Sequence, residues 1–141
     1  MKPNASSPAS VLASQIQHLV TLHETLLVKE FRTRQALLDL AQKEQKALAR
    51  GDYPALDDLQ AGKQSTLVEL GYLEKVRAAL IQGLSETLVQ TIPSGCLAEP
   101  LSSLDHSASC RVECLQSGIL ALEGTTDELN KANQALLDLL P

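Results

Sequence analysis

The sequence predicts an all-α protein, an elongated antiparallel bundle of three long helices. Its 141 residues include 28 leucines but only one Phe, two Tyr and no Trp, so the core must be built from aliphatic side chains. β-Branched and aromatic residues, which favour strands, are few. Apolar residues recur at alternating steps of three and four, which is the spacing of one face of a helix.

The first ten residues, MKPNASSPAS, are small and polar and include two Pro. We expect them to form a flexible lead, followed by a single helical-bundle domain over residues 11–141. The lead has no apolar run typical of a secretory signal, and no stretch of about 18 apolar residues is present to span a membrane. We therefore expect a cytoplasmic protein that does not insert into a membrane.

The first helix is predicted from Val11, with Ser10 as its N-cap, to Arg50. Its apolar stripe shifts by one residue partway along, which a gently curved helix tolerates. The stripe is Leu12, Ile16, Leu19, His23 and Leu26, and then Leu27, Phe31, Arg34, Leu38, Ala41, Gln45 and Leu48.

A tight turn should follow at Arg50-Gly51-Asp52-Tyr53-Pro54. Gly commonly ends helices, Asp is a good N-cap, and Pro fits the first turn of a new helix. The two long arms on either side of this turn should therefore form an αα-hairpin.

The second helix is predicted from Pro54 to about Gln90, because the residue before Pro93 avoids the helical region. Residues 91–100, TIPSGCLAEP, should be a loop. The stripe of this helix is Leu56, Leu59, Lys63, Thr66, Leu70, Leu73, Arg77, Leu80 and Leu84, with a few polar interruptions.

The third segment should run from Leu101 to Leu140. A Gly within Glu123-Gly124-Thr125 allows a break near Gly124, but we favour one long helix. Its stripe is Leu101, Leu104, Ala108, Val112, Leu115, Ile119, Leu122, Thr126, Leu129, Asn133, Leu136 and Leu140. Three helices can leave one side of a bundle less covered, and the stripe of the last helix would then be available to a partner helix.

The two parts of the chain differ in net charge. Residues 1–50 carry seven Lys or Arg against four Asp or Glu, whereas residues 51–141 carry five against thirteen, for a net charge of −5. An acidic second part argues against a nucleic-acid partner, which is recognised largely through its phosphates.

The sequence contains no motif typical of a catalytic site or a phosphate-binding loop, so we expect neither an enzyme nor a cofactor. His106, Cys110 and Cys114 are spaced by four residues, and with Cys96 they could ligate zinc. Small buried thiols are the favoured explanation, which leaves a metal-dependent enzyme as the weakest alternative. His18 and His23 lack the HxxKG-like context of histidine phosphotransfer domains, and His23 falls on the apolar stripe, where a packed side chain is expected.

Two segments of the sequence resemble those of a known protein family. One is Lys63-Gln64-Ser65-Thr66-Leu67-Val68-Glu69-Leu70-Gly71-Tyr72-Leu73-Glu74-Lys75-Val76-Arg77, preceded by Ala47-Leu48 and Gly51-Asp52. The other is Leu129-Asn130-Lys131-Ala132-Asn133-Gln134-Ala135-Leu136-Leu137, which is similar to the LNxxNxxLL signature near the end of that family's last helix. Together they span most of the chain, from about Leu19 to Leu140, and the family that they resemble is the FlgN-type flagellar export chaperones.

The resemblance implies a cytoplasmic chaperone of type III flagellar export. Such a chaperone binds the hook-filament junction proteins, covers their aggregation-prone terminal helices, and delivers them for secretion. A helical scaffold with an apolar seam suits this task, because it can hold an amphipathic helix in a groove. Members often carry a flexible tail that contacts the export gate, whereas this sequence ends at Pro141, so we expect another surface to serve any contact with the gate.

The second segment supplies the predicted partner-binding residues: Leu129, Asn130, Asn133, Leu136, Leu137 and Leu140. In this hypothesis the leucines bury apolar surface and the carboxamides orient the bound helix. An alternative for Asn133 is that it fixes the register of the bundle, as an Asn on an apolar seam often does. The alternative for the whole protein is a structural coiled-coil scaffold or adaptor, which would assemble by itself, whereas we expect a chaperone to be a monomer or weak homodimer.

Overall fold

Three long helices make up the part of the chain that the computed structural model describes, residues 8–91 and 106–140. They are α1 (Pro8–Arg50), α2 (Tyr53–Thr91) and α3 (His106–Asp138). They pack against one another, which confirms the predicted all-α helical bundle. Residues 1–7 of the predicted lead lie outside the described residues. So do residues 92–100 of the predicted loop, and Leu101 and Leu104 of the predicted third helix.

The predicted helix ends that lie within the described residues differ little from the observed ones. α1 begins at Pro8, three residues before Val11, because Pro is well accommodated in the first turn of a helix. α3 continues through Gly124 without a break. Tertiary packing on both sides of a single Gly outweighs its weak helix propensity.

The hairpin turn is formed by the residues that the sequence indicated. Gly51 has φ of 68°, and the Gly51 and Asp52 N–H groups donate to the carbonyls of Leu48 and Ala47 at 3.2 and 2.9 Å, which is a Schellman motif. The Asp52 side chain then accepts a hydrogen bond from the Ala55 N–H at 3.3 Å and caps α2. The same two residues therefore end one helix and start the next.

α1 is the central helix, because both α2 and α3 pack mainly against it. The α1–α2 pairing is antiparallel, since the residue numbers of the paired side chains increase along α1 as they decrease along α2. Its ion pairs are Glu30–Arg77 at 2.5 Å, Arg34–Glu74 at 2.8 Å and Glu44–Lys63 at 3.7 Å.

The α1–α3 pairing is parallel, as an up-down-up bundle requires. Glu24 pairs with Arg111 at 2.6 Å, and further along Ala41 contacts Asn133. Between them Gly118 lets the ring of Phe31 approach the α3 backbone, because a Cβ there would lie 2.7 Å from the ring. The absence of a side chain at Gly118 therefore sets the close approach of the two helices.

The predicted stripes of α2 and α3 face the bundle, except at Leu136 and Leu140, which are exposed. Leu56, Leu70 and Leu73 of α2 are buried, as are Ile119 and Asn133 of α3. The side chains of Leu12, Leu84 and Ala108 lie outside the described part of the structure.

The predicted stripe of α1 is partly wrong, because the buried face is rotated by about one residue from Glu30 onward. Glu30, Leu37 and Glu44 are buried, whereas the predicted Gln45 is exposed. α1 packs on two sides, and two of its buried positions are carboxylates that pair with cations of α2. An apolar pattern alone could not reveal them. Two of the polar interruptions in the α2 stripe, Lys63 and Arg77, are the partners of these carboxylates.

Candidate functional site

The predicted partner-binding residues lie along the C-terminal part of α3 and just beyond its end. The leucines nearest the end are poorly covered: Leu136 is 41% exposed and Leu140 is 38% exposed. Leu129 and Leu137 are half-buried. The end of α3 therefore carries more apolar surface than the bundle itself covers.

One exposed leucine, Leu139, was missing from the prediction, although it is 81% exposed. It falls outside the three-and-four stripe, so the periodicity gave no reason to select it. Its N–H donates to the Leu136 carbonyl at 3.2 Å, and the Leu140 N–H donates to the Leu137 carbonyl at 3.1 Å. These bonds tighten the last turn and hold the terminal leucines close together.

Asn133 is fully buried and connects α3 to the central helix. Its Nδ2 donates to the Ala41 carbonyl oxygen at 3.0 Å, and its exposed fraction is 0%. This position is consistent with the register-fixing alternative, because a buried amide can satisfy that bond at only one alignment of the helices. Its Oδ1 is buried without a hydrogen-bond partner among the described residues.

Asn130 is half-buried and lies where all three helices meet. Its Oδ1 accepts a hydrogen bond from the Lys63 Nζ of α2 at 2.9 Å, and the same ammonium lies 3.7 Å from Glu44 of α1. The two Asn residues of the predicted site therefore both help to hold α3 against the hairpin.

The two histidines of α1 have different surroundings. His18 is exposed, whereas His23 is half-buried, as expected for the apolar stripe, and its Nε2 has no hydrogen-bond partner among the described residues. Burial, and after it the positive charge of Arg77, lowers the pKa of His23 below the ordinary 6.5, while Glu30 acts in the opposite direction.

The candidate zinc ligands are only partly described. Cys110 and Cys114 are exposed on α3, so the expectation of small buried thiols is wrong for these two. Cys96 and the His106 side chain lie outside the described part. Within residues 8–91 and 106–140, no group of three His, Cys, Asp or Glu side chains could hold a metal ion. Across those same ranges, no helix has the length and apolar character needed to cross a membrane.

The fold and this surface define an elongated helical-bundle protein with apolar side chains left exposed at the end of its last helix. A family model described as FlgN protein matches residues 18–140, and the chain belongs to the FlgN family. This is a family of flagellar export chaperones that bind flagellar proteins, and it is not an enzyme family. Neither the curated proteins nor the solved structures gave a match to the chain.

Proposed function

We propose that this protein is a cytoplasmic chaperone of type III flagellar export that binds the hook-filament junction proteins, its clients. It covers their terminal helices, prevents premature aggregation, and delivers them for secretion. The observation that carries the proposal is the uncovered apolar surface formed by Leu136, Leu139 and Leu140 inside the family match. Apolar side chains grouped at one end of a helix are typical of a surface that a partner helix covers.

In this proposal the six predicted residues have two roles. Leu136, Leu137 and Leu140 contact the client and supply most of the apolar area buried on binding. Leu129, Asn130 and Asn133 hold α3 in the alignment that presents these leucines, since Asn133 has no exposed surface of its own.

The test compares a variant carrying Leu136→Gln and Leu140→Gln with the unchanged chain. Both side chains are about 40% exposed, so their replacement should leave the bundle folded. Val68→Gln on α2 is the matched control, because Val68 is 73% exposed and lies far from the end of α3. Calorimetric titration with a purified junction protein should show client affinity lowered by about tenfold or more in the double variant, equivalent to ~1.4 kcal/mol, and unchanged in the control.

Two further measurements complete the test. Light scattering of the junction protein alone should show aggregation that the unchanged chain suppresses and the double variant suppresses less. Size-exclusion chromatography with light scattering should show a monomer or weak homodimer that forms a defined complex with the client. Large self-assemblies that do not bind the client would instead support the alternative function, a structural scaffold.

A further inference from the structure

A furrow runs over α1 between α2 and α3. It arises because both outer helices pack on α1 and approach each other less closely. Two adjoining cavities of about 130 and 340 Å³ make up the furrow, and both are lined by Arg34 and Glu123. The two cavities therefore lie next to each other along the bundle, at the level of Arg34 and Glu123.

The furrow has an apolar floor and apolar edges. Leu37 of α1 and Leu70 of α2 are buried in the floor at 5% and 6% exposed. At the edges, Leu67 of α2 is 43% exposed and Leu120 of α3 is 68% exposed. Leu67 lines the smaller cavity and Leu120 the larger one, so the two edges are apolar at different levels of the bundle. Exposed apolar side chains on both edges favour a helix as the occupant, because a helix can bury side chains on both edges along its length.

The furrow also contains hydrogen-bond donors that nothing in the described structure satisfies. Arg34 Nε and Thr126 Oγ1 are both buried and without a partner among the described residues, and both residues line the smaller cavity. Thr126 is 8% exposed. Buried polar groups are nearly always hydrogen-bonded, so an occupant of the furrow should bring an acceptor to these two positions.

The charges of the furrow restrict what that acceptor can be. Arg34, Arg77 and Lys63 already pair with Glu74, Glu30 and Glu44 respectively. The remaining charged side chains that line the cavities, Glu123 and Asp127, are acidic and exposed. A further carboxylate would find no unpaired cation in these cavities. The oxygen of a Gln or Asn side chain is neutral, so it would accept hydrogen bonds from Arg34 and Thr126 without repulsion from Glu123 and Asp127.

We propose that the furrow binds an amphipathic helix of the client that carries a Gln or Asn on its apolar face. This inference rests on the proposed function and gives the position and chemistry of the contact. The furrow reaches the six predicted residues at Asn130, which lines the smaller cavity, whereas Leu136, Leu137 and Leu140 line neither cavity and would form a separate contact. Along α3 the residues that line the two cavities run from Gln116 to Asn130, about 21 Å at 1.5 Å per residue, which a client helix of about 14 residues would cover.

The experiment uses the complete chain and a purified junction protein as the probe. Leu67→Gln and Leu120→Gln, made singly, should each weaken client binding by about fivefold to tenfold, because each removes an exposed apolar side chain from an edge. Val68→Gln is the matched control: it neighbours Leu67 in sequence but lies on the outer side of α2 and does not line either cavity. It should leave the affinity unchanged.

Thr126→Val separates a binding role from a structural one. It keeps the shape of the side chain but removes the unpartnered hydroxyl, so the urea midpoint of the free chain should stay constant or rise. Client affinity should nevertheless fall, since the client would lose one hydrogen bond. A merely structural Thr126 would not produce these opposite changes.

The outcomes distinguish this inference from the proposed function. If Leu67→Gln, Leu120→Gln and Thr126→Val all bind the client as tightly as the unchanged chain, while the double variant at Leu136 and Leu140 binds less tightly, the furrow is not the binding groove. If the unchanged chain binds no junction protein at all, the proposed function fails and this inference fails with it.

Discussion

Gly51 and Gly124 have opposite backbone conformations, left-handed at Gly51 and right-handed α-helical at Gly124. Gly51 has φ of 68°, which costs a residue with a side chain about 1–2 kcal/mol. Gly124 lies within continuous α3, and a Cβ added there would meet nothing within 4 Å. Gly51→Ala should lower the free energy of unfolding by about 1 kcal/mol, and Gly124→Ala should raise it by about as much. Urea denaturation of both variants checks this, and a shift of the same sign in both would contradict it.

His23 should make stability depend on pH. Its lowered pKa means that the folded chain binds a proton less readily than the unfolded chain. As the pH falls through 6.5 towards the lower folded-state pKa, the unfolded chain takes up the proton first and the free energy of unfolding decreases. Stability from this group is thus complete above the ordinary pKa and is lost on acidification.

The measurement is urea unfolding at about pH 7.5 and about pH 5.5, which bracket the ordinary histidine titration. His23→Gln should reduce the loss of stability between the two conditions. His18→Gln, at an exposed position of the same helix, should not change that loss. Equal losses in the unchanged chain and in His23→Gln would show that other groups cause the pH dependence.

At the level of the helices, the α1–α2 interface depends on buried charge as well as on leucine. The Glu30 side chain is 2% exposed and pairs with Arg77, whereas Asp39 and Lys43 form a surface pair with both side chains 58% exposed. Double-mutant cycles with Gln for the acids and Met for the bases should give a coupling energy of about 1–3 kcal/mol for Glu30–Arg77. The surface pair should give only about 0.3–0.5 kcal/mol. Similar values for both pairs would show that burial does not strengthen the contact.

The helices themselves were largely predictable from the sequence. Turn chemistry at Gly51 and Asp52 gave the start of α2, and the spacing of leucines gave its buried face, because both signals are local. The predicted buried face of α1 differs by about one residue from the observed face, because the burial of Glu30 and Glu44 depends on cations from another helix. The six residues at the end of α3 came from a family resemblance. The furrow did not follow from the sequence, since its width depends on how far α2 and α3 diverge.

The whole molecule should behave in solution as a rod. α1 alone has 43 residues, which at 1.5 Å per residue is about 65 Å. A compact domain of 141 residues would have a radius of gyration of about 14 Å. Small-angle scattering of the monomer should give a clearly larger value. A value near 14 Å would mean that the long helices fold back in solution, which would contradict the elongated bundle.

Lys63 is the point at which one side chain joins all three helices, because its ammonium contacts Glu44 of α1 and Asn130 of α3. A change at Lys63 would remove the contacts to Glu44 and to Asn130 at once, and a change at either partner would remove one of the two. Related chains should therefore show correlated substitutions at positions 44, 63 and 130. Three positions that are far apart in sequence would then covary because one side chain joins them.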